Sequence, residues 1–334
     1  MRWIAFALVA LTLFATAPAA PVSAQTAAQP PQAQGAPMGR TSATEAEIWR
    51  GVRQGMQGYV SIPDKKAGVL VQSEGETWRN LRNGPVSTYG AWMLLGMVVV
   101  IAVYFAVRGR IRIEHGPAGR TIQRFNMVER FAHWLTAASF IVLALTGLNM
   151  LYGRYVLLPL IGGSGFSAIT LWGKLAHNYI AAGFVLGVLM MIVLWLRHNI
   201  PNGDDLKWLA KGGGLFAKGV HPPSRKFNAG QKFIFWSVVL GGGLLAVTGF
   251  YLLMPFDFGM TVYDMQRYVV WHGVAGLVLT AIIVGHIYIG SIGMEGAFDA
   301  MGTGQVDENW AREHHNLWVA ELKGKARPQG GHDD

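Results

Sequence analysis

The sequence predicts an all-α integral membrane helical bundle, with a four-helix core and one extra N-terminal transmembrane helix. Three observations carry that expectation. Hydrophobic residues make up 51% of the 334 and charged residues only 14%, where an ordinary soluble domain carries ~25% charged residues. Five apolar runs reach the length needed to cross a bilayer, about 20 residues. The basic residues gather in alternate connections between those runs, as membrane topology requires. The net charge of +9 is therefore a topology signal, and no nucleic-acid partner is expected. Cysteine is absent, which excludes a thiolate-held Fe–S cluster, a disulfide and covalently attached c-type haem in this chain.

Residues 1–24 have the three parts of a secretory signal: Arg2, the apolar run Ile4 to Phe14, and small residues ending Val22-Ser23-Ala24. A retained signal anchor is the other reading. Residues 25–87 are expected to form a periplasmic extension, Ala/Gln/Pro-rich at first, then mixing Trp49, Tyr59 and Trp78 with charges. The extra span is placed at 88–107. The core, 127–293, holds spans at 127–151, 172–196, 233–254 and 268–293. The linker 108–126 carries Arg108, Arg110, Arg112, Arg120 and Arg124, and the connection after the third span is similarly basic. The connections at 152–171 and 255–267 carry only Arg154 and Arg267 as basic residues. Positive-inside logic puts the two basic connections in the cytoplasm. The mature N-terminus is then periplasmic and the 294–334 tail cytoplasmic, in a multi-pass protein of the bacterial inner (plasma) membrane.

The last span carries the chemistry. His272 and His286 sit fourteen positions apart in WHGVAGLVLTAIIVGH, four turns less roughly 40° on a helix, and about 21 Å along its axis. They share a face, and one ion cannot bridge them. Histidine inside a membrane span is a functional-site hypothesis by default. Two further histidines lie in or at the edge of spans: His133, near the cytoplasmic start of its helix, and His177, near the outer start of its own. Depth pairs His177 with His272 outside and His133 with His286 inside. Four imidazoles at two depths make two bis-imidazole sites, a count that fits two b-type haems in a helical bundle. Gly183, Gly187, Gly273 and Gly276 either admit a flat macrocycle or serve ordinary helix packing. The remaining histidines, His315 among them, are expected to be solvated, with contact of His314-His315, ahead of Trp318, to a headgroup or partner as the other reading.

Competing classes fare worse. Zinc needs closely spaced ligands, which the spans lack. A proton or ion transporter needs midplane charge or broken helices, and no Asp, Glu, Lys or Arg lies in the middle of a span. A haem-free membrane anchor is the bland alternative.

RFNMVERFAHW, GKLAHN, RHNIPNGDDLKWL, KFNAGQKFIFW, the His272/His286 pair and WAREHHNLW together resemble the cytochrome b (gamma) subunit of membrane-bound, quinone-linked formate dehydrogenase. The resemblance runs over roughly 121–322, loops included. Di-haem cytochrome b subunits of nickel–iron hydrogenases share the haem arrangement, but the KFNAGQK and HNIP loops favour the formate enzyme.

The resemblance implies a circuit. A molybdenum or tungsten catalytic subunit oxidises formate, and an Fe–S subunit passes the electrons to this chain, which has no formate chemistry of its own. Two haem b groups carry them inward, the outer on His177 and His272, the inner on His133 and His286. A quinone is reduced near the inner haem, with Asn228, Gly230 and Gln231 lining its pocket. Read on their own, Asn228 and Gln231 equally suit a helix start. Short family members begin near residue 121, so the resemblance does not reach residues 25–120.

Overall fold

Asn126, Asn202, Asn228 and Thr261 each precede a helix, and each is followed three residues later by Glu, Asp or Gln. That is the capping-box pattern, in which two side chains satisfy backbone N–H groups that a helix start leaves unpaired. In the computed structural model, which describes residues 73–326, all four boxes form. The signal at 1–24 and the extension up to residue 72 lie outside the described residues.

Helix α1 (Ser73–Leu81) passes through a π-helical turn, Arg82–Val86, into α2 (Ser87–Arg108). Pro85 sits in that turn, where the wider winding accommodates a residue without an N–H. The helix thus begins before the expected boundary at 88, and its crossing stretch is Thr77–Arg108. After strand β1 (Thr121–Gln123), α3 covers Met127–Val156 and α4 covers Leu158–Trp195. The connection expected at 152–171 is therefore mostly helix, broken only at Gly162, whose φ of 72° suits glycine. The short α5 (Gly203–Ala210) leads to α6 (Ala229–Leu253) and α7 (Val262–Tyr288), the latter ending in a π turn, Ile289–Gly293. The tail holds α8 (Asp299–Gly302), strand β2 (Gln305–Asp307), α9 (Glu308–His314) and α10 (Asn316–Ala326). Among the described residues, five helices are long and apolar enough to cross a membrane.

The core pairs α3 with α4 and α6 with α7, and α2 lies along α7. Small residues set the distances. A Cβ on Gly187 would come 2.4 Å from Thr136 Oγ1, and one on Gly90 would come 2.5 Å from Leu277 Cδ1. Phe140, Phe184, Val188, Val238 and Leu279 are buried among the helices. The extra helix is also fastened by hydrogen bonds: Tyr152 Oη donates to the Ser87 carbonyl at 2.8 Å, and Tyr104 Oη to that of Leu215 at 2.6 Å.

At the end carrying the basic connections, the loops and tail fold together as a cap. β1 and β2 pair antiparallel with Ile122 opposite Val306. Glu313 accepts the backbone N–H groups of Glu114 and His115, and Asp307 accepts that of Ala118. Here one expectation is corrected. His315 is not solvated; it is fully buried between Trp310 and Trp318, its Nδ1 2.7 Å from the Arg225 carbonyl. Burial holds its imidazole well below the ordinary histidine pKa. Arg124, also buried, is pushed down to about 9 by desolvation, against the opposing pull of Glu129.

Candidate functional site

Helix α7 runs without interruption from Val262 to Tyr288, so His272 and His286 keep the spacing of a regular helix, about 21 Å apart along the axis. Each meets an imidazole from another helix. The rings of His177 on α4 and His272 have centroids 6.1 Å apart, and those of His133 on α3 and His286 stand at 6.2 Å. The rings that depth pairs in the sequence are neighbours in the fold.

These separations suit an ion held between two imidazoles. A ligating nitrogen lies about 2 Å from a transition metal, with its ring centre about 1 Å further back, so opposed ligands put centroids about 6 Å apart. Among the described residues, no group of three or more His, Asp or Glu converges on a possible ion. The donor set at each position is thus two neutral nitrogens, which is what a porphyrin iron with two axial ligands requires.

The outer pair has a further feature. His177 Nδ1 lies 2.8 Å from Thr146 Oγ1 on α3, and His272 Nδ1 lies 2.9 Å from Thr248 Oγ1 on α6. Both hydroxyls already donate one turn back along their own helices, Thr146 to Val142 and Thr248 to Leu244, each at 2.7 Å. With its single proton engaged there, each oxygen is left to accept. This arrangement favours the tautomer with hydrogen on Nδ1 and Nε2 bare, the form that can bind a metal. The glycine after each threonine lets the ring come close: a Cβ on Gly147 would stand 3.7 Å from His177 Cε1, and one on Gly249 only 3.2 Å from His272 Cε1. Sequence reasoning passed over these threonines. The repeated Thr-Gly dipeptides at 146–147 and 248–249 were the available signal.

The inner pair differs. His133 Nδ1 is buried and has no hydrogen-bond partner. The glycines divide by role: Gly183 and Gly187 face Ser139 and Thr136 on α3, as helix packing demands, whereas a Cβ on Gly273 would meet nothing within 4 Å.

Asn228, Gly230 and Gln231 stand at the start of α6. Asn228 Oδ1 accepts the Gln231 N–H at 2.9 Å, and Gln231 Oε1 accepts the Asn228 N–H at 3.1 Å and Arg124 Nη2 at 3.1 Å. The helix-start reading accounts for their acceptor oxygens, while the two side-chain NH₂ groups are not used in the cap. Trp208 lies over Gly230, within 3.1 Å of where a Cβ would stand. Nearby, Glu129 Oε1 accepts Trp195 Nε1 at 2.9 Å and Lys226 Nζ at 2.7 Å.

The family model described as prokaryotic cytochrome b561 matches residues 124–304. Among curated relatives, the cytochrome b556(Fdn) subunit of the nitrate-inducible formate dehydrogenase of Escherichia coli (strain K12) is 27% identical over 207 residues, covering 61% of this chain and 93% of the relative. The cytochrome b556(fdo) subunit of formate dehydrogenase from the same strain is 28% identical over 204 residues, 61% of this chain and 94% of the relative. The formate dehydrogenase cytochrome b556 subunit of Haemophilus influenzae is 26% identical over 204 residues, 60% and 83%.

Proposed function

Since the chain belongs to the prokaryotic cytochrome b561 family, a group of membrane cytochromes b, we propose that it is the electron-transferring membrane subunit of a formate dehydrogenase. It is a multi-pass inner-membrane protein with a cytochrome b role in electron transport. In this reading His177 and His272 hold an outer haem b, and His133 and His286 an inner one. The observation that carries the reading is the pair of facing imidazoles at 6.1 and 6.2 Å, two of the four histidines on a single helix. Bound there, haem supplies reversible one-electron chemistry. The chain's own part is to fix the rings and to exclude water. Neutral nitrogens add no protein charge inside a low-dielectric membrane, where charge is costly.

The relatives' names supply the donor: formate dehydrogenase, so a molybdenum or tungsten catalytic subunit and an Fe–S subunit are the proposed partners. The acceptor is a quinone at the inner pair. There the free side-chain NH₂ groups of Asn228 and Gln231, with the backbone at Gly230, would present donors to a carbonyl. The basic connections support an orientation with catalytic subunits outside and the cap in the cytoplasm. Residues 1–24 are proposed as a signal peptide and 25–72 as periplasmic chain.

The test is a haem count and a reduced-minus-oxidised spectrum of the purified complex. Two b-type haems per chain are expected, falling to one in His272→Ala. A colourless chain, or two haems retained in that variant, would reject the reading. Identifying the co-purifying large subunit tests formate as the donor against hydrogen.

A further inference from the structure

Threonines inside helices commonly bond back to the carbonyl one turn earlier, and among the described residues four do. Thr136 and Thr280 make that bond, to Ala132 and Gly276, without meeting a histidine. Thr146 and Thr248 make it and also place their oxygens 2.8 and 2.9 Å from the Nδ1 atoms of His177 and His272. The two come from different helices, α3 and α6, yet reach the two rings of one site in the same way. At the other site His133 Nδ1 is buried with no partner, and among the described residues no side-chain hydrogen bond to the His286 ring is found. The asymmetry is complete: two ring N–H groups engaged at the outer pair, none at the inner.

That difference has a direction. A ligating imidazole whose far N–H donates to an oxygen becomes a more basic, more strongly donating ligand. Stronger donation favours oxidised iron and lowers the reduction potential. We infer that Thr146 and Thr248 are positioning residues that hold both outer rings with Nε2 toward the ion and keep the outer site at a lower reduction potential than the inner. The inference rests on the haem reading above and goes beyond it. It gives the electron path a downhill direction, from outer pair to inner pair, set by two hydroxyls that touch neither donor nor acceptor.

The experiment uses the purified complex, with optical redox titration of Thr146→Val, Thr248→Val and the matching Thr→Ser variants. Valine keeps the branched shape and removes the hydroxyl, leaving the His177 and His272 rings only the Leu143 and Leu245 carbonyls; serine keeps the hydroxyl. The outer component is assigned as the one that disappears in His272→Ala. Each valine variant is expected to shift the outer reduced-to-oxidised ratio about tenfold toward reduced, a rise of ~59 mV for one electron. The inner component stays in place, and serine restores the original value. Loss of the outer haem in valine variants but not in serine variants would equally support the positioning role. An unchanged outer potential with both haems present would overturn the inference, as would equal loss of haem in valine and serine variants, which marks simple packing. Failure of the haem reading itself looks different: fewer than two haems before any threonine is changed.

Discussion

His133 and His286 face one another with ring centroids 6.2 Å apart, on helices α3 and α7 that otherwise touch only lightly. Removing either ring should be felt at that position alone. In His286→Ala the inner haem is expected to be lost while the outer remains, giving half the pigment per chain. A pyridine haemochrome assay against protein concentration checks this. The surviving component should keep its midpoint potential.

Glu129 joins three parts of the chain through one carboxylate. It closes the α3 cap with Asn126 and accepts from Trp195 on α4 and Lys226 in the loop before α6. Lys226→Met should destabilise the protein by about 2 kcal/mol, the range for a hydrogen bond to a charged group. Glu129→Gln, which keeps the cap acceptor, should cost less than Glu129→Ala. Apparent melting temperatures in detergent rank the three variants.

Helix spacing rests on glycine. Gly187→Ala would force a methyl to within 2.4 Å of Thr136 Oγ1 and 3.0 Å of the Thr136 backbone nitrogen. Overpacking of this kind costs about 1–3 kcal/mol, and parting α3 from α4 would also move His133 and His177. The expected result is a lower melting temperature with reduced haem content. Gly96→Ala, where nothing lies within 4 Å, is the matched control and should change neither.

The cap should weaken on acidification. Burial lowers His314 to about 4 and His315 further below its ordinary value. Both pKa values fall on folding from the usual ~6.5, so the unfolded tail binds protons that the folded tail does not. The stability contributed by the neutral rings is present above ~6.5 and is lost as pH falls toward 4 for His314. Protection factors at the Leu317 and Val319 amides, which donate to Ser224 and His315 carbonyls, should fall between pH 7 and pH 5 once the slower intrinsic exchange at the lower pH is divided out. His315→Ala would remove most of that dependence along with packing.

The spans and the four imidazoles were legible in the sequence because both depend on local information. Apolar length sets a crossing, and a fourteen-residue interval sets a shared face. Helix beyond the apolar stretch was not legible: α1 is polar, and 158–171 reads as a connection until Pro159 and the single break at Gly162 are seen in place. The cap was less legible still. Its strands join residue 121 to residue 307, and His315 owes its burial to Trp310, Trp318 and Arg225 rather than to its polar neighbours Glu313 and Asn316. The threonines behind the outer pair lie outside any ligand pattern because their role depends on which helix stands opposite.

One histidine of each pair rides on α7, with regular helix between them, and the π turn that ends this helix comes only after Tyr288. A tilt or shift of that rod carries both positions together. The interval between these two rings is therefore a constant of the backbone, established when the polypeptide first winds; if the pairs hold haems as proposed, opening or closing motions elsewhere leave that interval unchanged. Regulation of flow would have to act at the ends of the conduit, where partners load and unload it.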